Sequence, residues 1–168
     1  MDIFNLAAFF TGVLLTLVVY LGLNQFTQKW RAKISVLEQQ VEKLYKKIQL
    51  LESGHQDLPL PMWLKDPSGT MLAVNIAYEE TFLLPRGFTS DDYVGKKDTA
   101  VWPAETAKVF AKNDRSVYRS GVIWRGTETM PSAAGDHESW KIIKYVRYSP
   151  DGQKIGIAGI AIPINGNG

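Results

Sequence analysis

Residues 62–75 read Met62-Trp63-Leu64-Lys65-Asp66-Pro67-Ser68-Gly69-Thr70-Met71-Leu72-Ala73-Val74-Asn75. Met62 to Leu64 is a short apolar run suited to a strand. Asp66-Pro67-Ser68-Gly69 is a tight turn, since proline presets φ and glycine tolerates positive φ. Met71 to Val74 reads as the returning strand. A domain that opens on this hairpin is built around a sheet.

Downstream, short helices are expected around Ile76–Leu83 and Asp91–Tyr93. Ala104 to Arg119 places Ala107, Phe110, Ala111, Val117 and Tyr118 at helical spacing, and Gly121 stops that helix. Ile123–Met130, Trp140–Tyr148 and Ile155–Ile162 read as three strands. Ser149-Pro150-Asp151-Gly152 turns the chain between the last two. Two strands, a helical middle and three more strands predict an α+β domain, a five-stranded antiparallel sheet with helices on one face.

Upstream the texture differs. Ile3 to Gln28 carries no charged side chain. Its apolar part, Ile3 to Leu23, spans about 31 Å as a helix, enough for a bilayer core. Asp2 stands where a signal peptide would have a cation, and the bulky Asn24, Gln25 and Phe26 offer no cleavage site, so an uncleaved single-pass anchor is expected. Lys29, Arg31 and Lys33 follow it directly. The positive-inside bias then puts the C-terminal side in the cytoplasm, and the expected location is the inner, or cytoplasmic, membrane. Ala8, Gly12 and Thr16 stand at a spacing that permits close helix pairing.

Trp30, Ile34, Leu37, Val41, Leu44, Ile48 and Leu51 alternate at spacings of four and three. With Ile34, Val41 and Ile48 at heptad position a and the others at d, the pattern favours a parallel two-stranded coiled coil. Lys33–Glu38 and Lys47–Glu52 become attractive pairs between copies, and Gln40–Tyr45 is neutral. The seam covers only about three and a half heptads, so the anchor must help by raising local concentration. Gly54 is expected to end the helix. The organisation predicted is an anchor at 1–27, a coiled coil at 28–54, a linker at 55–60 and a globular domain at 61–168.

The net charge of +2 is carried by residues 1–54, with six Lys/Arg against four Asp/Glu. The remaining 114 residues balance at zero, which argues against nucleic acid as a partner. The chain has no cysteine, which excludes disulfides and thiolate metal sites.

The ordered motifs of residues 58–164 resemble the PAS domain family. They are Trp63-Leu64-Lys65-Asp66 with Gly69, Asn75 followed by Ala77 and Phe82, and Val94-Gly95-Lys96 before Asp98. Trp102-Pro103 then precedes the long helix, and Asp114 with Ser120-Gly121 closes it. Trp140 opens a strand, and Gly152, Gly156 and Gly159 mark the final hairpin. The resemblance implies a ligand pocket between sheet and long helix. It also implies limits on cofactors. Flavin photochemistry and the chromophore thioester of another subgroup in the family need a cysteine, and haem ligation needs a histidine on the long helix, where none stands. No cofactor is evident, and a small organic ligand of unknown identity is left. The Asp-Ile-Thr junction of the family is replaced by Pro163-Ile164-Asn165, and three residues follow. The reading therefore expects no output domain in cis, with signals leaving through the coil or a separate protein.

Trp102, Phe110, Val117, Trp140 and Ile142 are the candidate pocket residues. The alternative is that they simply fill the core, as a domain of this size requires. His55 lies by the coil end, and His137 in a loop between strands. Asp136-His137-Glu138 does not suit a metal, because neighbouring side chains point apart. Glu79-Glu80 and Asp91-Asp92 read as solvated faces. No catalytic constellation is visible, so no enzyme is expected. Two functions remain: a membrane-anchored dimeric sensory module, or a structural adaptor that uses its domain as a docking surface.

Overall fold

A computed structural model describes residues 3–132 and 135–164. The chain divides into two units that meet at Leu50 and Leu51. The described residues of the N-terminal unit all belong to α1 (Ile3–Gln56), a single helix. It contains a stretch long and apolar enough to cross a membrane, by length and composition. The helix continues past Gly54 to Gln56. The expected glycine stop fails because two further residues complete the last turn, and Asp57 N–H closes it on the Ser53 carbonyl at 2.9 Å.

The second unit is a five-stranded sheet: β1 (Met62–Lys65), β2 (Met71–Val74), β3 (Trp124–Pro131), β4 (His137–Tyr148) and β5 (Lys154–Pro163). The strand order is β2-β1-β5-β4-β3 and every neighbouring pair is antiparallel. The hairpin expected at Asp66–Gly69 forms, with Gly69 N–H 3.0 Å from the Asp66 carbonyl. The turn at Ser149–Gly152 forms likewise. β5 is central. Gly159 is glycine there because a Cβ would lie 2.2 Å from the Trp63 ring that crosses it.

Between β2 and β3 the chain is helical in pieces. α2 (Ile76–Tyr78) runs into a π-turn over Glu79–Leu83 and a 3-10 turn over Leu84–Arg86. α3 (Ser90–Tyr93) follows, then a 3-10 turn over Asp98–Ala100. The helix expected at Ile76–Leu83 is thus broken after one turn. α4 (Ala104–Ser120) buries Ala107, Phe110, Asp114 and Val117 along one stripe. Gly121 ends it in the left-handed region at φ +73, where a side chain would be strained.

His137 is the first residue of β4, paired opposite Pro131, rather than a loop residue. The strand starts three residues earlier than Trp140 because β3 extends to Pro131 and supplies partners. Two of the acidic residues expected to be solvated also have local duties. Glu79 Oε1 accepts the Ser90 N–H at 2.9 Å, and Asp92 accepts from the Thr89 N–H and hydroxyl to close a capping box.

Asn75 ties the entry of the domain together. Its Oδ1 accepts the Met62 N–H at 2.8 Å and the Tyr78 N–H at 3.0 Å. Its Nδ2 donates to the Leu58 and Leu60 carbonyls at 3.0 and 2.8 Å. One buried amide therefore satisfies four backbone groups of residues 58–62 and α2.

Candidate functional site

Strand alternation brings charge into the core. β1 turns Trp63 and Lys65 inward, β3 turns Glu128 and Met130 inward, and β4 turns Ile142, Lys144 and Val146 inward. α4 lays Asp114 over them, and Asp98 reaches in from the 3-10 turn. All five charged residues are 1–6% exposed.

They form one connected cluster. Lys65 Nζ lies 2.6 Å from Asp98 Oδ1 and 2.8 Å from Asp114 Oδ2. Lys144 Nζ lies 2.9 Å from Asp114 Oδ1 and 2.7 Å from Glu128 Oε1. Asp114 thus bridges the two lysines. Tyr93 donates its hydroxyl proton to Asp98, and Asn113 donates to Glu128 at 2.7 Å. The Phe110 ring lies 5.3 Å below the Lys144 ammonium, and the Trp124 and Trp63 rings lie 5.7 and 5.9 Å away.

Burial opposes the charge on Lys65, but Asp114 and Asp98 outweigh it and hold the ammonium well above the usual lysine range. Burial likewise opposes ionised Asp114, and Lys65 and Lys144 outweigh it, so its carboxyl sits below the usual range. Burial pushes Tyr78 up to about 12 and Tyr93 well above its ordinary value. Lys65 and Asp114 are therefore both charged at neutral pH, each holding the other in its ionic form.

The expected pocket residues divide. Trp102, Phe110 and Ile142 are buried in one cluster, with Trp140 packed against it. Ring contacts run from Trp140 to Phe82 at 4.9 Å, Phe82 to Trp102 at 5.9 Å and Trp102 to Phe110 at 5.4 Å. Val117 shares the buried stripe of α4 with Phe110, but it packs in a second cluster with Val146 and Ile157. The space left beside the charges, between Trp63, Tyr93, Phe110 and Lys144, is about 10 Å³. That holds at most about one water.

A groove of about 610 Å³ runs beside α4. The Asp66–Gly69 turn, Lys97, Ala104, Ala111 and Arg115 line it, and its floor reaches Ile157. Its wall includes Asp98 and Asp114, the carboxylates that hold Lys65. A separate cavity of about 270 Å³ lies by Phe82 and Trp140.

Lys65, Lys144, Glu128 and Asp98 escaped the reading of the sequence as site residues. The available signal was parity: Lys144 stands in step with Ile142 and Val146, and Lys65 with Trp63. Asp114 lies four residues beyond Phe110 and three before Val117, on the buried stripe of α4.

A five-stranded antiparallel sheet in this order, with its helices inserted between β2 and β3, is the fold of a PAS sensory domain. The chain belongs to the PAS fold family, which matches residues 56–165. No curated protein sequence matches significantly. Solved structures do. VqmA of Vibrio cholerae, in complex with ligand and DNA, has a TM-score of 0.60 at 21% identity, covering 71% of this chain and 52% of that one. The PAS domain of BvgS from Bordetella pertussis has a TM-score of 0.60 at 21% identity, covering 71% and 88%. The PAS domain of a Colwellia psychrerythraea protein has a TM-score of 0.56 at 14% identity, covering 71% and 98%. At these identities the likeness is one of fold. The chain spans about half the length of the VqmA chain it matches.

Proposed function

We propose that this chain is a membrane-anchored PAS module that pairs with a second copy through its coil and acts in sensing or regulation. The observation that carries the reading is the groove whose wall contains Asp98 and Asp114. Whatever occupies it touches the carboxylates that hold Lys65 on β1, the first strand after α1. A shift there reaches residues 58–62, which Asn75 clasps, and from them the coil.

Pairing is supported by the seam. Trp30, Ile34, Leu37, Val41, Leu44, Ile48 and Leu51 are 48–65% exposed in the single chain, and a parallel partner would cover them. The anchor, the inner-membrane location and the cytoplasmic domain rest on the apolar stretch and the flanking Lys29, Arg31 and Lys33. The module has no catalytic role in this reading, and output passes to a separate partner protein.

The 10 Å³ interior supports the second reading, in which the domain is a docking surface that takes no small molecule. To separate the two, the full chain is purified in detergent, co-purifying small molecules are sought by mass spectrometry, and melts are repeated with metabolites. A bound or stabilising molecule supports sensing. An empty protein that no metabolite stabilises leaves the docking reading. A C-terminal reporter that reads on the outer face of the membrane would overturn the topology.

A further inference from the structure

The side chain of Arg86 is held as if for a ligand. Its Nε donates to the Phe82 carbonyl at 2.6 Å, and its guanidinium stacks on Trp102 at 3.4 Å from the ring centroid. Both contacts remove rotamer freedom before anything binds. Its Nη2 is buried with no hydrogen-bond partner. Among the described residues no carboxylate lies within ion-pair distance of it. Burial works against its charge and pulls it below the usual arginine range. The side chain is half-buried, so it is the occluded Nη2 alone that is denied water, and a buried donor without a partner is costly.

Arg86 lines the 270 Å³ cavity, and so does Ser132, whose buried Oγ also lacks a partner. Both atoms are closed to solvent in the empty chain, and both belong to residues that line one space. Phe82, Pro85, Met130 and Trp140 give the same space apolar walls, and Glu138 stands among its lining residues. On the same measure the interior space beside the charges is about 10 Å³, so this is much the roomier of the two and admits a small organic molecule.

We propose that this cavity binds a small organic monocarboxylate, which draws the Arg86 guanidinium and the Ser132 hydroxyl round to its oxygens while its apolar body lies against Trp140. One cation and two donors match one carboxylate. Glu138 disfavours a dianion by like-charge repulsion, so phosphate esters and dicarboxylates are selected against. The cavity shares no lining residue with the groove along α4. Its failure as a site therefore leaves the groove reading standing, and the reverse also holds.

The test uses the full chain in non-ionic detergent and calorimetric titration with isovalerate, benzoate and phenylacetate. Benzamide, phenyl phosphate and inorganic phosphate serve as controls, and tryptophan fluorescence is followed in parallel. The expected result is saturable binding of at least one carboxylate, with a change in tryptophan emission. Arg86→Gln should weaken it by about ten- to a hundredfold, and Ser132→Ala by a smaller factor. If circular dichroism shows that Arg86→Gln does not fold, Arg86→Lys and Ser132→Ala carry the test, because the first keeps the cation and the second removes only a hydroxyl that has no partner in the fold. The proposal is overturned if no carboxylate binds the unaltered chain at millimolar concentration. It is equally overturned if benzamide or phosphate binds as tightly as the acids, or if the folded variants bind as the unaltered chain does.

Discussion

Lys65 Nζ lies 2.8 Å from Asp114 Oδ2, so the first strand of the sheet is ion-paired to the long helix across 49 residues of chain. Asp114 also holds Lys144, which makes it the only carboxylate of the cluster that touches both lysines.

Removing Asp114 leaves both ammoniums short of a partner, and the two lysine side chains are only 3% and 1% exposed. Asp114→Ala should cost about 3–5 kcal/mol of stability, since the loss of one member strands buried charge. Denaturant unfolding of the full chain in detergent measures this. A loss below about 1 kcal/mol would show that the cluster relaxes freely and that its geometry is not structural.

The pH dependence follows from the same pairing. The Asp114 carboxyl is held below its ordinary value of 3.8, so its contribution is complete above that value and fades as pH falls through the lower folded value. Lys65 is held above its ordinary value of 10.5, so its contribution is complete below that value and fades as pH rises through the higher folded value. The melting temperature should therefore be flat with respect to this pair from about pH 4 to about pH 10. Asp114→Asn should remove the acid-side loss that belongs to the pair. Identical acid limbs in the two proteins would contradict the assignment.

The Asn75 amide satisfies four backbone groups, two of them in the segment that leads out of α1. Asn75→Ala should destabilise the domain by about 2–3 kcal/mol, because buried donors and acceptors lose partners. Hydrogen exchange should quicken at Met62 and Tyr78, whose N–H groups it accepts. Unchanged protection at both amides would mean that the clasp is replaced by water.

For the coil, Leu37→Glu together with Leu44→Glu places charge at two successive d positions. Dimers in detergent should disappear, as read by light scattering or cross-linking of the full chain. A variant that remains dimeric would mean that the copies associate through another surface.

Much of the architecture could be read along the chain, because it depends on local chemistry. The Asp66–Gly69 and Ser149–Gly152 turns are written in proline, aspartate and glycine. The stop of α4 is written in Gly121. The strand boundaries were less legible at β4, where the pairing of His137 with Pro131 depends on a second strand being present. The single helix expected at Ile76–Leu83 carried no breaker, and its π-turn arises as the chain packs Phe82 and Leu83 inward. Residue type alone marked Trp102, Phe110, Val117, Trp140 and Ile142 as interior side chains. Their division, with Val117 apart from Phe110, was not legible, because seven residues along a helix is far enough to reach a different part of the sheet.

The amino-acid sequence alone determined the apolar stretch, the heptad seam and the order of strands and helices, since periodicity and turn chemistry act between near neighbours. Only the tertiary structure decided what the interior contains. Lys65, Asp98, Asp114, Glu128 and Lys144 come from four separate elements and a turn-rich connection, and each alone reads as an ordinary surface charge. Burial is tolerable for them because folding brings opposite charges within 3 Å of one another, and that condition is met by the whole sheet and helix together.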